Sequence, residues 1–313
     1  MEANQRDLRI YVAGHTGMVG SAICRKLSQH GYSTVRPNSR VDLRDQKQTM
    51  DLFSQLKPDW VFLAAAKVGG IYANMTYPAE FIYDNSMIQS NVIHASYVHK
   101  VKKLLFLGSS CIYPKDAPQP FKEEHFLCGY LEKSNEPYAV SKIAGIIMCQ
   151  SYNRQYGTNF ISIMPANLYG PEDRFNLANS HVLPAILRKI HEGKRTGAEE
   201  VEIWGTGTPR REFLYVDDLA DACLFLMNNY NSSEIINVGA GDDVTIKEIA
   251  YLIKDVAGYE GQFKFNVDMP DGMARKLLDS SRLTNIGWKP SVPLRKGLEL
   301  TYKWFLENEW RIK

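Results

Sequence analysis

Short apolar runs alternate with segments of helical spacing through the first half of the chain. The runs are continuous rather than alternating, which is typical of strands buried on both faces of a parallel sheet. They predict strands at 9–13, 32–36, 60–65, 103–108 and 160–165. Apolar residues spaced three and four apart predict helices at 18–29, 46–56, 78–99 and 137–156. Strands that alternate with helices in this way predict an α/β fold with a doubly wound parallel sheet.

After Pro171 the regular alternation of predicted strands and helices ends. The elements predicted there are a helix at 181–191, a strand at 202–204, a strand and helix at 213–216 and 218–227, and a helix at 246–256. We expect about 213–238 to return to the sheet. The prediction is a dinucleotide-binding domain of 1–171 plus that segment. The rest of 172–313 then forms a smaller C-terminal α/β substrate lobe.

Composition narrows the classes of function. The 37 basic and 35 acidic residues leave a formal net charge of +2, which argues against a dedicated nucleic-acid surface. Residues 1–8 contain no apolar leader, and the apolar run at 60–66 is too short to span a bilayer. The five scattered cysteines contain no CxxC pair, so they indicate neither a disulfide framework nor a metal site. We expect a cytoplasmic protein with no nucleic-acid or membrane partner.

A glycine loop follows the first predicted strand and opens the first helix. It reads Gly14-His15-Thr16-Gly17-Met18-Val19-Gly20. Glycine is needed where a backbone turns sharply beside a pyrophosphate, and the helix N-terminus favours that anion. The pattern predicts a Rossmann-type dinucleotide site, with a plain strand–helix turn as the alternative.

The residues after the second strand indicate which dinucleotide binds. Arg36 and Arg40 occur there, and no acid precedes Asp42. An acid would bind the ribose hydroxyl of NAD, whereas an arginine suits the 2′-phosphate of NADP. We therefore expect NADP(H), with the choice between the two arginines open. The alternative is that both are solvated surface charges.

A serine, a tyrosine and a lysine supply candidate chemistry. Tyr138 and Lys142 are four residues apart on a predicted helix and so share a face. The lysine cation is expected to lower the tyrosine pKa, so that the phenol can donate a proton to a carbonyl reduced by hydride. Ser109 follows a strand, at the sheet edge where this architecture binds ligands. Together with the glycine loop, this is the pattern of short-chain dehydrogenases.

Further motifs sharpen the resemblance over nearly the whole chain. They are the glycine loop, Leu63-Ala64-Ala65-Ala66-Lys67-Val68-Gly69-Gly70-Ile71, Leu107-Gly108-Ser109-Ser110-Cys111-Ile112-Tyr113-Pro114, Asn135-Glu136-Pro137-Tyr138-Ala139, Met164-Pro165-Ala166-Asn167-Leu168-Tyr169-Gly170-Pro171, Ser180-His181-Val182-Leu183-Pro184 and Trp204-Gly205-Thr206-Gly207-Thr208-Pro209-Arg210-Arg211. With them the chain resembles the GDP-L-fucose synthases, which are extended short-chain dehydrogenases/reductases. One departure is Thr16, where some relatives carry a basic residue.

The resemblance implies a two-part reaction. GDP-4-keto-6-deoxy-D-mannose would be epimerised at C3 and C5, and its 4-keto group reduced with NADPH to give GDP-L-fucose. Cys111 would be the base and His181 the acid. Ser109 and Tyr138 would stabilise the enolate oxygen, Tyr138 would then protonate it, and Lys142 would orient the nicotinamide ribose.

The resemblance also implies binding residues and a homodimer formed through the helices at 78–99 and 137–156. The cofactor would contact the glycine loop, one of the two arginines and Leu107, Gly108, Ser109, Tyr138, Lys142, Pro165, Asn167, Leu168 and His181. The substrate would contact Ser109, Ser110, Cys111, Tyr138, Asn167, Lys189, Trp204, Arg211 and Asp271.

Several of these residues could instead have purely structural roles. Cys111 could be inert packing, His181 a helix cap, Lys189 a solvated charge and Trp204 a core residue. A nucleotide-sugar 4-epimerase or 4,6-dehydratase that retains NAD is the nearest alternative function, although no acid accompanies Ser109 as a dehydratase requires. A catalytically silent cofactor-binding module is the other, although such proteins typically lose the tyrosine or lysine.

Overall fold

The computed structural model describes residues 7–177, 180–269 and 271–311. The ends of both predicted domains, 1–6 and 312–313, lie outside the described residues. The first part of the chain contains β1 (Ile10–Ala13), α1 (Met18–Gln29), β2 (Thr34–Val35), α2 (Gln46–Leu56), β3 (Trp60–Leu63), α3 (Ile71–Thr76), α4 (Pro78–Val98), β4 (Lys103–Leu107), α5 (Glu136–Tyr156), β5 (Phe160–Pro165) and β6 (Asn167–Tyr169). Short 3₁₀ turns at Ser110–Ile112, Glu123–His125 and Lys133–Asn135 lie between β4 and α5.

The second part of the chain has shorter elements. They are α6 (Val182–Thr196), β7 (Glu200–Trp204), β8 (Arg210–Arg211), β9 (Phe213–Tyr215), α7 (Val216–Asn229), β10 (Ile236–Val238), β11 (Val244–Thr245), α8 (Ile246–Ala257), β12 (Gln262–Asn266), β13 (Arg275–Lys276), α9 (Ser281–Asn285) and α10 (Leu294–Glu307).

Six parallel strands form the main sheet, in the order β10-β5-β4-β3-β1-β2. Strands β3, β4 and β5 are continuous apolar runs, and helices cover both faces of the sheet, which buries them. Local signals set the helix ends. Asp45 caps α2 by accepting from the Gln48 amide, and α5 ends at Gly157, whose φ of 67° suits glycine. This arrangement confirms the predicted Rossmann-type α/β class.

The chain leaves and re-enters this sheet at places that differ in part from those expected. Phe213–Tyr215 pairs with Asn167–Tyr169 in a separate two-stranded sheet. The strand that returns is β10, which pairs with β5. Helix α7 packs against α1. The segment 213–238 therefore reaches the sheet through its last strand and its helix, because β9 is diverted to the small sheet at the carboxyl edge.

Two hydrophobic cores are present among the described residues. The larger surrounds the main sheet and includes Ile161 and Phe62. The smaller lies between α6, α8 and α10 and includes Ile190, Ile249 and Phe305. Helix α8 owes its position to an apolar stripe and to a capping box in which Thr245 and Glu248 bind each other's backbone amides. None of the helices in the described parts of the chain is long and apolar enough to cross a membrane.

Candidate active site

The glycine loop connects β1 to α1 at the carboxyl edge of the sheet. Gly14 has a φ of 85°, and a Cβ there would meet the Ala65 backbone nitrogen at 2.8 Å. A Cβ on Gly20 would collide with the carbonyl oxygen of Gly14, whereas one on Gly17 would sit 3.6 Å from the same oxygen. The loop is thus closed against the sheet, and it leaves the first amides of α1 facing outward, where a pyrophosphate can bind.

The two candidate arginines follow β2 and are both exposed. Arg36 lies near the glycine loop. Burial, and then the Arg36 charge, lower the pKa of His15, and the Arg36 guanidinium also lies close to the Cys24 thiol on α1. Arg40 instead acts on Asp42, farther along the connection. Of the two, Arg36 has the better position for a phosphate beside the loop.

Cys111 lies in the 3₁₀ turn directly after β4. Ser109 caps this turn by accepting from the Cys111 amide at 3.2 Å, and its hydroxyl lies close enough to the Cys111 and Tyr138 side chains to favour their ionised forms. Ser110 is buried beneath them. The turn therefore places a hydroxyl and a half-buried thiol at the mouth of the sheet.

Tyr138 and Lys142 come from the first turns of α5. The Lys142 Nζ donates to the Leu107 carbonyl at 2.8 Å and lies 5.8 Å from the Tyr138 ring centroid. Burial lowers the pKa of Lys142 to about 8. The prediction that lysine lowers the tyrosine pKa is wrong for this structure, since burial and the Cys111 charge raise it. Burial and the neighbouring thiol therefore keep the phenol protonated.

Two nitrogen donors from other segments reach the Cys111 sulfur. The Asn135 Nδ2 donates at 3.1 Å and the Lys276 Nζ at 3.2 Å. Burial opposes ionisation of the thiol, but the Lys276 charge and the bonds from Ser109, Lys276 and Asn135 outweigh it and lower the Cys111 pKa. The sulfur is therefore set to carry negative charge, which packing alone would not favour.

His181 stands at the N-cap of α6, yet its side chain makes no capping hydrogen bond among the described residues. The capping alternative is therefore wrong. The residue as a whole is exposed, but local desolvation of the ring and the charges of Lys276 and Arg174 lower the pKa of His181. Lys276 thus acts on both the thiol and the imidazole, which places them around one cation.

The C-terminal lobe supplies the other side of the cleft. Trp204 ends β7 and is 42% exposed, so the core-packing alternative is wrong. The Lys189 Nζ lies 4.9 Å from the Trp204 ring centroid and donates to the Glu202 carbonyl at 3.0 Å. The Trp204 indole nitrogen donates to the Glu202 carboxylate at 3.0 Å. An aromatic face and a cation are thereby held side by side.

Arg211 and Asp271 connect this aromatic face to the thiol. The Arg211 Nη2 is 3.4 Å from the Asp271 carbonyl, and the Cys111 charge acts on the guanidinium. The Asp271 carboxylate accepts from the backbone amide and the hydroxyl of Thr206, both at 2.7 Å. Arg211 is half-buried, and its Nη1 donates to the Arg210 carbonyl at 2.8 Å, which fixes the guanidinium between Asp271 and Cys111 in a position suited to an anionic ligand.

Comparison with known proteins identifies the family. Residues 10–239 match the NAD dependent epimerase/dehydratase family. The chain is 56% identical over 307 residues to GDP-L-fucose synthase 1 of Arabidopsis thaliana, covering 97% of this chain and 95% of that protein. It is 52% identical over 316 residues to the GDP-L-fucose synthase of Escherichia coli (strain K12), covering 97% and 98%. The chain belongs to the GDP-L-fucose synthase family.

A solved structure agrees with this family. A GDP-L-fucose synthetase from Naegleria fowleri bound to NADP matches with a TM-score of 0.91 at 28% identity, covering 99% of each chain. The predicted family and fold class are confirmed.

The residues predicted for the GDP-L-fucose synthase site fall into three groups in this structure. The thiol group contains Ser109, Ser110, Cys111, Tyr138, Lys142 and His181; the lobe group contains Lys189, Trp204, Arg211 and Asp271; and the cofactor edge contains the glycine loop, Arg36, Leu107, Gly108, Pro165, Asn167 and Leu168. Asn167 is held by its Nδ2, which donates to the Glu212 carbonyl at 2.9 Å. Their individual roles are predictions.

The sequence prediction missed two residues that contact Cys111. Asn135 belongs to a motif that was recognised, but its side chain was given no role. Lys276 lies on β13, a two-residue strand that no apolar pattern indicates. No cluster of three or more His, Cys, Asp or Glu that could hold a metal ion occurs in the described ranges.

Proposed function

We propose that this chain is an NADPH-dependent GDP-L-fucose synthase, which epimerises GDP-4-keto-6-deoxy-D-mannose at C3 and C5 and then reduces its 4-keto group. The observation that carries the proposal is the position of Cys111. The Cys111 sulfur accepts hydrogen bonds from Asn135 and Lys276, and the Cys111 amide donates to the Ser109 hydroxyl. The Lys276 charge also acts on His181. A reductase alone needs the serine and tyrosine but not the thiol.

In the epimerisation, the Cys111 thiolate takes the proton from a carbon next to the sugar carbonyl. The electron pair moves to the carbonyl oxygen, where the Ser109 hydroxyl and the Tyr138 phenol donate hydrogen bonds to the enolate. His181 returns a proton to the opposite face of the same carbon. Its imidazole is neutral in the free chain, and the negative charge of the substrate favours its protonated form beside Lys276 and Arg174.

In the reduction, NADPH supplies the hydride to C4 when it is bound. Tyr138 gives its proton to the C4 oxygen, and its raised pKa keeps the phenol protonated until then. Ser109 holds the same oxygen. Lys142, which is fixed by the Leu107 carbonyl, is placed to orient the ribose next to this strand end.

The glycine loop fits a dinucleotide, and two matched pairs of variants test it. Gly20→Ala should weaken NADPH binding at least tenfold because its methyl would collide with the Gly14 backbone. Gly17→Ala, whose Cβ would lie 3.6 Å from the Gly14 oxygen, should keep the loop closed and so shows the effect of a methyl beside the phosphate without a backbone collision. Arg36→Ala should weaken NADPH but not NADH, while Arg40→Ala changes neither. Fluorescence titration measures the affinities for NADPH and NADH. Equal effects of the two arginine variants on NADPH affinity would contradict the assignment of Arg36 to the 2′-phosphate.

We also propose that α4 and α5 pair with a second copy in a homodimer. Six large apolar side chains on these two helices are exposed: Ile82, Tyr83, Val98, Val140, Ile147 and Tyr156. Ile147→Arg should shift the mass measured by light scattering from dimer to monomer. Val267→Arg, at an exposed position on the lobe, should not. A monomeric wild-type chain at micromolar concentration would overturn this proposal.

The location and domain proposals rest on separate features. All five cysteines are free, and the reaction needs the Cys111 thiol reduced, which supports a cytoplasmic location. Cell fractionation tests this. The two cores support a cofactor domain of 1–171 plus about 213–238 and a lobe of the remaining residues. Hydrogen exchange should show two protected units, and one uniform unit would contradict the division.

The decisive assay mixes the protein with NADPH and GDP-4-keto-6-deoxy-D-mannose in D₂O. Oxidation of NADPH with deuterium at C3 and C5 of the product is the expected result. UDP-4-keto sugars, run in parallel, should give no oxidation. No oxidation with either sugar would move the function to an NAD-retaining 4-epimerase or a binding module.

A further inference from the structure

The Cys111 sulfur receives hydrogen bonds from two segments far apart in the sequence. Asn135 immediately precedes α5, and Lys276 lies on β13 of the C-terminal lobe. A neutral thiol is a weak acceptor, and one placed for packing alone has no need of two N–H donors. The arrangement instead matches a sulfur anion, which gains from each donor.

Asn135 is used in an unusual way. It occupies the N-cap position of α5, and asparagine is among the best residues for capping a helix with its side chain. Within the described residues, its side chain makes no capping bond and donates to the sulfur instead. Helix α5 therefore lacks a side-chain cap at Asn135, and the Asn135 amide contacts Cys111 instead.

Lys276 is held by its backbone on both sides. The Glu212 amide donates to the Lys276 carbonyl at 3.2 Å, and the Glu212 carboxylate accepts from the Leu278 amide at 2.9 Å. The Gln119 side chain binds the Arg275 carbonyl and the Leu277 amide. These bonds fix the short strand, so the Lys276 side chain leaves it at a set position beside Cys111.

The charges that face the sulfur are mainly positive. Lys276 comes from β13, Lys142 from α5 and Arg211 from β8, while Tyr138 is a neutral phenol. Of these cations, Lys276 is the one bonded to the sulfur. Cys149, which is buried in the apolar core, shows the contrast, because burial raises its pKa to about 12.

We propose that Lys276 is the positioning residue for the epimerisation base: with Asn135, its ammonium binds the Cys111 sulfur as a thiolate and holds it beside Ser109. The inference rests on the proposed function, since it assigns a partner to the base of that reaction. The expected consequence is that Lys276 controls proton removal at C3 and C5 and leaves hydride transfer to the Tyr138 side of the site.

The first test measures the reactivity of Cys111 without any substrate. Iodoacetamide labelling, quantified by mass spectrometry between pH 5 and 10, gives the midpoint at which Cys111 becomes a thiolate, with the exposed Cys128 as internal reference. Lys276→Met should raise the Cys111 midpoint by about 1–3 pH units, the range for removing an opposite charge at contact distance. Lys276→Arg should restore most of the shift, and Asn135→Leu should raise the midpoint by less.

Two controls separate charge from folding. Lys264→Met removes a positive charge from the exposed strand β12 and should leave the Cys111 midpoint unchanged. NMR titration of His181 provides the second readout, because losing the Lys276 charge should also raise the imidazole pKa. Because a misfolded site would also raise the His181 pKa by exposing the ring, the deciding variant is Lys276→Arg, which keeps the charge and should leave the His181 pKa low.

The second test uses the complete reaction. With substrate in D₂O, Lys276→Met should slow deuterium incorporation at C3 and C5 more than tenfold, and Lys276→Arg should recover it. An unchanged Cys111 midpoint in Lys276→Met, with only a raised KM, would overturn the proposal and make Lys276 a ligand of the anionic substrate. A wild-type chain that does not turn over the substrate would overturn the proposed function instead, whatever the labelling shows.

Discussion

The two sides of the cleft are built from different kinds of sequence. The sheet wall, made of Ser109, Cys111, Tyr138 and Lys142, follows a strand in the middle of the six-stranded sheet and opens the long helix α5. The lobe wall, made of Trp204, Arg211, Asp271 and Lys276, is carried by strands of two- and three-stranded sheets and by the turns between them. The proposed function assigns proton and hydride transfer to residues of the sheet wall and binding of the GDP sugar to residues of the lobe wall. We therefore expect variants of the sheet wall to lower kcat and variants of the lobe wall to raise KM, with Lys276 as the exception.

The largest effect is expected for Cys111→Ser. A serine hydroxyl does not ionise near neutral pH, so proton removal should slow about 10⁴-fold, the upper end for a general base. Deuterium incorporation at C3 and C5 measures this. Cys128→Ser, at an exposed thiol, is the control. If Cys111→Ser retained turnover, Cys111 would not be the base, and the sheet wall would not supply it.

Tyr138→Phe should separate the two half-reactions. Loss of the phenolic proton should slow NADPH oxidation about 10²–10³-fold, while deuterium exchange continues at a reduced rate with Ser109 alone on the oxygen. Single-turnover absorbance measures NADPH oxidation, and mass spectrometry of the recovered sugar measures deuterium exchange. If both fell equally, the reduction would not depend separately on Tyr138.

Arg211→Met should act mainly on KM. The guanidinium is half-buried between Asp271 and Cys111, and loss of charge-assisted bonds to a diphosphate is worth about 1.5–3 kcal/mol, or roughly 10- to 150-fold. Initial rates against GDP-sugar concentration measure the change. Arg295→Met, on the surface of α10, is the matched control. A fall in kcat with an unchanged KM would contradict the expectation that variants of the lobe wall act on KM.

Trp204→Ala should have the smallest of the four effects. Removing one aromatic face under a base is worth about 1–3 kcal/mol, and we expect the lower half of that range because Lys189 also covers the ring. The KM for the GDP sugar should rise while the KM for NADPH stays constant. The KM of Trp204→Phe for the GDP sugar should lie between those of the wild type and Trp204→Ala. An unchanged KM in Trp204→Ala would show that the indole does not contact the nucleotide.

The difference between the walls also explains what the sequence could predict. Residues of the sheet wall sit at fixed distances from strong signals, a buried apolar strand for Ser109 and an i, i+4 helical pair for Tyr138 and Lys142. The boundaries of α1, α2 and β5 were predicted as observed for the same reason, because each is set by a continuous apolar pattern and its ends.

Residues of the lobe wall depend on contacts that sequence spacing does not encode. Lys276 follows a stretch rich in glycine, proline and aspartate, and its strand exists because Glu212 and Gln119 bind its backbone from elsewhere. The direction of the Tyr138 pKa was missed for a related reason. Helical spacing predicted that Lys142 lies near the ring, but not how deeply the phenol is buried or that Cys111 lies beside it, and these raise the Tyr138 pKa.

The position of β10 matters for how the chain is made. On the ribosome, five of the six strands of the main sheet are complete at Pro165, and the sixth arrives at Ile236–Val238. In between, β5 is an open edge of apolar residues, which is the type of surface that pairs wrongly with other chains. The Lys103 ammonium is buried against the carbonyls of Met227 and Tyr230. It has neither partner until those residues are synthesised. The nascent chain is therefore most exposed to aggregation while residues 166–238 are being translated.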